Sequence, residues 1–156
     1  MIEQFRHEAL NQISVISGFS EIIENELLHF EHPINETFNT HLSKINQLAL
    51  SFHQTLQVFR EGCELKPLTE EAIRLLDPSD DILRYLSPEC AIQYTVLKET
   101  AGALKNEAYG LEKTSSGSEK ITDRSHFIVS SAERIHELFL HPFAFMQEVL
   151  KNAPDL

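Results

Sequence analysis

Apolar residues recur at steps of three and four in two regions near the start of the chain. No proline interrupts residues 3–30, and in the second region steps of four and three alternate without a gap. The first stripe is Phe5, Ala9, Ile13, Ile16, Phe19, Ile23 and Leu27, and the second is Phe38, Leu42, Ile45, Ala49, Phe52, Leu56 and Phe59. This spacing predicts two long amphipathic helices, each with one face buried.

A short break separates the two predicted helices. Pro33 disfavours helical geometry before it, Asn35 or Thr37 can cap the second helix, and Gly62 stands where a C-cap belongs. The two helices thus form an antiparallel hairpin, which has too little core to be stable alone. Two hairpins from two copies would make a four-helix bundle, so the pattern predicts a homodimer.

The remaining sequence, 68–156, is predicted to be a separate C-terminal region after a hairpin domain at 1–67. It begins with a short helix from Thr69 to about Leu76. Two later pairs, Asp77-Pro78 and Ser87-Pro88, each read as a cap followed by a proline at the first helical position.

Further along, apolar spacing favours a helix over about 88–109, with a strand at 91–97 as the alternative. A linker at 113–120 follows, and then a helical region over about 124–152 with a break at His141-Pro142. The fold class predicted is therefore mainly α. A degenerate α/β domain in the C-terminal half is the alternative.

Charge and composition exclude several classes of function. The formal net charge of -11 disfavours binding to nucleic acids and to anionic membranes. No apolar run approaches the length of about 20 residues that crosses a bilayer, and no signal-peptide core is present, so we expect a cytoplasmic protein. Cys63 and Cys90 lack metal-binding spacing and are predicted to be reduced thiols.

The segment that can carry chemistry is His7-Glu8-Ala9-Leu10-Asn11. On a helix, His7 and Asn11 share a face that is offset from the apolar stripe and should be exposed. A neutral imidazole is a good nucleophile near neutral pH, and the neighbouring Glu8 can accept its other ring proton. The carboxamide of Asn11 can bind a phosphoryl group or orient a water molecule.

These residues resemble the phosphoacceptor motif of the dimerisation and histidine-phosphotransfer domain of bacterial sensor histidine kinases. That motif runs His, Glu or Asp, two variable residues, Asn or Thr, Pro, hydrophobic. The resemblance covers about residues 3–67. It is carried by His7, Glu8, Asn11 and Ile13, by the continuation Gly18–Ile23, by Leu42–Ile45 and Leu56–Gly62 in the second helix, and by the exit at Glu64–Pro67.

The resemblance implies a homodimeric bundle in which His7 carries phosphate, Glu8 assists as acid and base, and Asn11 orients water. The implied partner is a response-regulator receiver domain, which docks over the lower part of the hairpin, below the histidine. The receiver accepts the phosphoryl group on an aspartate and holds Mg²⁺ itself, so no cofactor is expected on this chain.

Two departures from the family pattern narrow the expected function. Gln12 stands where the motif has proline, and the glycine boxes of the kinase ATPase domain are absent from this sequence. We therefore expect phosphotransfer or receiver dephosphorylation without ATP binding. A non-catalytic docking or inhibitory module and a truncated kinase are the alternatives.

The sequence predicts no metal site. Glu26, His29 and His32 have metal-like spacing, but the second helix offers no matching pair and the two histidines fall at a helix end.

Overall fold

The chain is mainly helical. The computed structural model describes residues 2–29, 35–59, 63, 65, 68–115 and 118–153, and these residues contain no β-strand. The elements in order are α1 (Ile2–Leu27), α2 (Glu36–Val58), α3 (Glu70–Leu75), a 3₁₀ turn (Ile82–Arg84), α4 (Pro88–Thr114), α5 (Glu119–Leu140) and α6 (Pro142–Asn152).

Two helices begin at caps that the sequence predicts, Asn35 and Ser87, and a third is capped by Thr69, which the sequence places in the first turn of that helix. Asn35, Thr69 and Ser87 each accept a hydrogen bond from a backbone N–H in the first turn of α2, α3 and α4. The prediction that a helix begins at Asp77-Pro78 is wrong. The Asp77 carboxylate accepts a hydrogen bond from the Ser79 N–H and closes a turn instead. The predicted roles of Pro33 and Gly62 lie outside the described residues.

The four long helices form a closed ring within one chain. Helix α1 packs against α2 and α5, and α4 packs against the same two helices, so α1 and α4 lie diagonally opposite. One hydrophobic core includes residues from both predicted regions. The sequence pattern predicts that a second copy covers the apolar stripes of α1 and α2, whereas in the structure α4 and α5 of the same chain cover them. Homodimerisation itself stays a prediction.

The described part of the C-terminal region is helical rather than α/β. Residues 91–97, the alternative strand, belong to α4, which continues five residues past the predicted end at 109. Helix α5 begins before residue 124, inside the predicted linker, and the break at His141-Pro142 is confirmed. No helix among the described residues is long and apolar enough to cross a membrane.

Cys63 and Cys90 form a disulfide, which corrects the prediction of reduced thiols. The cause lies in the fold, because α4 packs along α2 and brings its first turn close to the segment that follows α2. Both side chains are buried there. Disulfides persist mainly in oxidising compartments. The bond therefore gives no support to the expected cytoplasmic location, which stays a prediction.

A histidine and a glycine interlock α2 with α4. The His41 ring lies over Gly110, where an added Cβ would come closer than 3.0 Å to three ring atoms. His41 Nδ1 also lies 2.7 Å from the Glu107 carboxylate on α4. Gly110 therefore allows the two helices to approach at this point.

We expect Gly110→Ala to lower the free energy of unfolding by about 1–2 kcal/mol, because the overlap of the new methyl group with the His41 ring outweighs the helix propensity that alanine adds. Urea unfolding followed by circular dichroism measures the change. Gly18→Ala is the matched control, since a Cβ there meets nothing within 4 Å. It should stabilise α1 by about 0.5–1 kcal/mol through helix propensity alone. Equal changes in the two variants would contradict the interlock.

Removing the disulfide should destabilise the bundle by about 3–4 kcal/mol, because a cross-link spanning 27 residues restricts the unfolded chain. The double variant Cys63→Ser, Cys90→Ser, compared with oxidised wild type in urea, tests this. Added reductant should lower the stability of wild type and leave the double variant unchanged. A wild type that is insensitive to reductant would argue against the pairing.

Candidate functional site

The first turns of α1 are anchored by Phe5. This side chain is fully buried among aromatic rings, with its ring centroid 4.8 Å from that of Phe139, 6.1 Å from Phe145 and 6.3 Å from Tyr94. The rings come from α4, α5 and α6, so a large buried apolar area fixes the start of α1 from three sides.

The residues on either side of His7 are tied to neighbouring helices. Arg6 Nε donates a hydrogen bond to the Leu56 carbonyl oxygen of α2 at 3.0 Å. Glu8 Oε1 accepts from Arg134 Nε of α5 at 3.3 Å. Position 7 therefore lies on a backbone held by the core, by α2 and by α5.

His7 itself is exposed to solvent, as the sequence predicts. Asn11 and Ser14 are exposed on the following turns of the same face, and the Ser14 hydroxyl donates to the Leu10 carbonyl. The His7 side chain is thus accessible to another protein. The Asn11 carboxamide lies one helical turn away on the same face and can contact the same partner.

Glu8 is directed to the seam between α1 and α5. Its side chain is 24% exposed, and the same Oε1 atom that meets Arg134 also accepts from Gln12 Nε2 at 3.2 Å. Among the described residues, no hydrogen bond joins Glu8 to His7. The structure therefore places His7 and Asn11 on one face and holds the Glu8 carboxylate beside that face.

Arg134 and Gln12 are site neighbours that sequence reasoning missed. Gln12 had a signal, because it stands four residues after Glu8, where helical side chains meet. Arg134 had none, since 126 residues separate it from Glu8 and only the packing of α5 on α1 brings them together.

An apolar strip runs along the same seam, on the turns of α1 that follow Glu8. It consists of the exposed side chains of Val15, Ile22 and Phe127 and the partly buried Phe19, and we call it the α1–α5 strip. The rings of Phe19 and Phe127 are stacked with centroids 4.9 Å apart, and Phe127 remains 51% exposed. A second ion pair, Glu26 with Arg124, lies farther along the seam. These side chains leave apolar surface available for contact with another protein.

A cavity of about 300 Å³ lies between α5 and α6, next to Arg134. Arg134 and His141 line it together with the carboxylates of Glu137 and Glu148. The two carboxylates disfavour a polyphosphate in this cavity by charge repulsion.

Within the described parts of the chain, no three His, Cys, Asp or Glu side chains are grouped to hold a metal ion. Glu26, one of the residues with metal-like spacing, pairs instead with Arg124. His32 lies outside the described residues, so the predicted absence of a metal stays a prediction.

No family model, curated protein or solved structure matches this chain. The resemblance to histidine kinase phosphotransfer domains therefore depends on the motif residues themselves, and a function must be argued from the geometry around His7.

Proposed function

We propose that this chain is a histidine phosphotransfer protein of two-component signalling. His7 takes a phosphoryl group from a receiver aspartate and returns it to another receiver or to water. The observation that carries the proposal is the exposed His7 on a rigid backbone, with Asn11 one turn away on the same face. The resemblance of this segment to the kinase phosphoacceptor motif supports it.

The chemistry needs few groups from this chain. One ring nitrogen of His7 attacks the phosphorus atom of the receiver acyl phosphate, so an N–P bond forms. The P–O bond to the aspartate breaks, and the carboxylate leaves with the electron pair. The proton on the other ring nitrogen then passes to a base, which Glu8 or water supplies.

Asn11 is assigned a positioning part in this proposal. Its carboxamide can donate to a phosphoryl oxygen on His7 or orient the water that hydrolyses the receiver acyl phosphate. Phosphoryl transfer depends mainly on such positioning and on charge stabilisation, and the receiver supplies the Mg²⁺. The chain itself then requires neither ATP nor a bound metal.

The α1–α5 strip supports a protein as the partner. Val15, Phe19 and Ile22 lie on the helix that carries His7, two to four turns farther along, and Phe127 lies beside them on α5, so a domain that reaches His7 can cover the strip. The strip belongs to one chain, which means that a receiver could dock on a monomer as well as on the predicted homodimer.

A second candidate function is a non-catalytic docking module that binds a receiver and blocks its exchange. One observation favours it, namely that Glu8 is engaged by Arg134 and Gln12 rather than by His7. The two candidates share the strip and differ in whether His7 is chemically required.

We expect at least one phosphorylated receiver from a panel to transfer its labelled phosphoryl group to the wild-type chain. The same receiver should transfer none to the His7→Gln variant. His126→Gln is the matched control, because His126 is an exposed histidine on α5 and should behave as wild type. Separation of the labelled proteins on neutral gels measures the transfer. Equal labelling of the His7→Gln chain, or no transfer with any receiver, would refute phosphotransfer.

Phe127→Ser should weaken binding of that receiver about tenfold, because a central aromatic contact is worth more than 1 kcal/mol. Calorimetry measures the dissociation constant. Ile92→Ser is the control, since Ile92 is 68% exposed on α4, diagonally opposite α1. If both variants weaken binding equally, or if neither weakens it, the receiver does not bind at the α1–α5 strip.

A further inference from the structure

We infer that Arg134 of α5 is a positioning residue of the His7 site and that it acts through Glu8. This inference rests on the proposed function, and it extends the site from α1 to a second helix. Gln12, the residue that departs from the kinase motif, is its partner in holding Glu8.

The geometry concentrates both donors on one oxygen of Glu8. Arg134 Nε and Gln12 Nε2 lie 3.3 Å and 3.2 Å from Oε1, and Oε2 has no hydrogen-bond partner among the described residues. Two contacts fix the carboxylate on the side of α1 that faces α5. The second oxygen stays free to accept a proton.

The positive charge of Arg134 should favour the transfer of a phosphoryl group to His7. A phosphoryl group on His7 brings nearly two negative charges to the residue that precedes Glu8, in a chain whose net charge is already -11. The Arg134 guanidinium offsets the charge of Glu8 and reduces this repulsion. Without Arg134, an ionised Glu8 would oppose the group that His7 must accept.

The group transfer balances with Glu8 as the base. The N–P bond forms at one ring nitrogen of His7, and the aspartate leaves with the electrons of the broken P–O bond. The proton from the other ring nitrogen moves to Oε2 of Glu8 and returns in the reverse transfer. Arg134 keeps its protons and touches neither phosphorus nor imidazole in this scheme.

The same seam contains a matched ion pair that should have no such part. Arg124 of α5 meets Glu26 of α1 close to the far end of α1 from His7. The Arg124 side chain is 27% exposed and that of Arg134 is 44% exposed, so losing Arg124 should cost at least as much stability. Effects on transfer that appear only at Arg134 therefore cannot come from a weakened seam.

The experiment is a kinetic double-mutant cycle on the full chain. Single-turnover loading of the chain is measured with phosphoramidate, and with the phosphorylated receiver that gives the strongest His7-dependent label. The variants are Arg134→Gln, Glu8→Gln, both together, Arg134→Lys and Arg124→Gln. His7→Gln gives the background, and urea unfolding checks that each variant is folded.

We expect Glu8→Gln to slow receiver-driven loading about a hundredfold, as for loss of a general base. Arg134→Gln should slow it about tenfold in the wild-type background, and less than twofold when Glu8 is already Gln. Arg134→Lys should recover most of the rate. Arg124→Gln should load like wild type, and the receiver's dissociation constant should not change with Arg134→Gln.

Three results would overturn the inference: an Arg134→Gln effect that is the same in both Glu8 backgrounds, no Arg134 effect, or an equal loss with Arg124→Gln. Each of these leaves His7-dependent labelling intact and the proposed function standing. Labelling that survives in His7→Gln instead removes the proposed function, and the inference falls with it.

Discussion

The burial of Phe5 among rings from α4, α5 and α6 is the interaction on which the rest of the site depends. It fixes the first turns of α1, so that Arg6 reaches α2, Glu8 reaches α5, and the residue between them faces solvent. A histidine that receives a phosphoryl group from another protein must be both accessible and held in place. The core holds the backbone of position 7 in place, and the polar face of α1 leaves the side chain accessible.

The bundle within one chain changes how the site is composed. In a dimer of hairpins, the helices that take the places of α4 and α5 would come from a second copy with the same sequence. Here α5 has a different sequence from α1 and α2, and it brings Arg134 to Glu8 and Phe127 to Phe19. The site therefore combines a motif on α1 with unrelated residues about 120 positions away in sequence.

Sequence alone predicted the helices well and their partners poorly. The stripe and the cap at Asn35 determined α2, because periodicity and capping are local properties. The disulfide of Cys63 with Cys90 and the contact of Arg134 with Glu8 were missed, because both depend on which helices become neighbours. The exposure of His7 was predictable from its offset to the stripe, whereas the direction of Glu8 toward α5 was not.

We propose that His7 is the residue that carries phosphate. The most direct measurement maps the phosphoryl group by mass spectrometry at neutral pH, after wild-type chain has met a phosphorylated receiver. We expect one acid-labile phosphoryl group, located on His7. A chain that binds the receiver yet carries no phosphate, or carries it on another residue, would contradict this proposal.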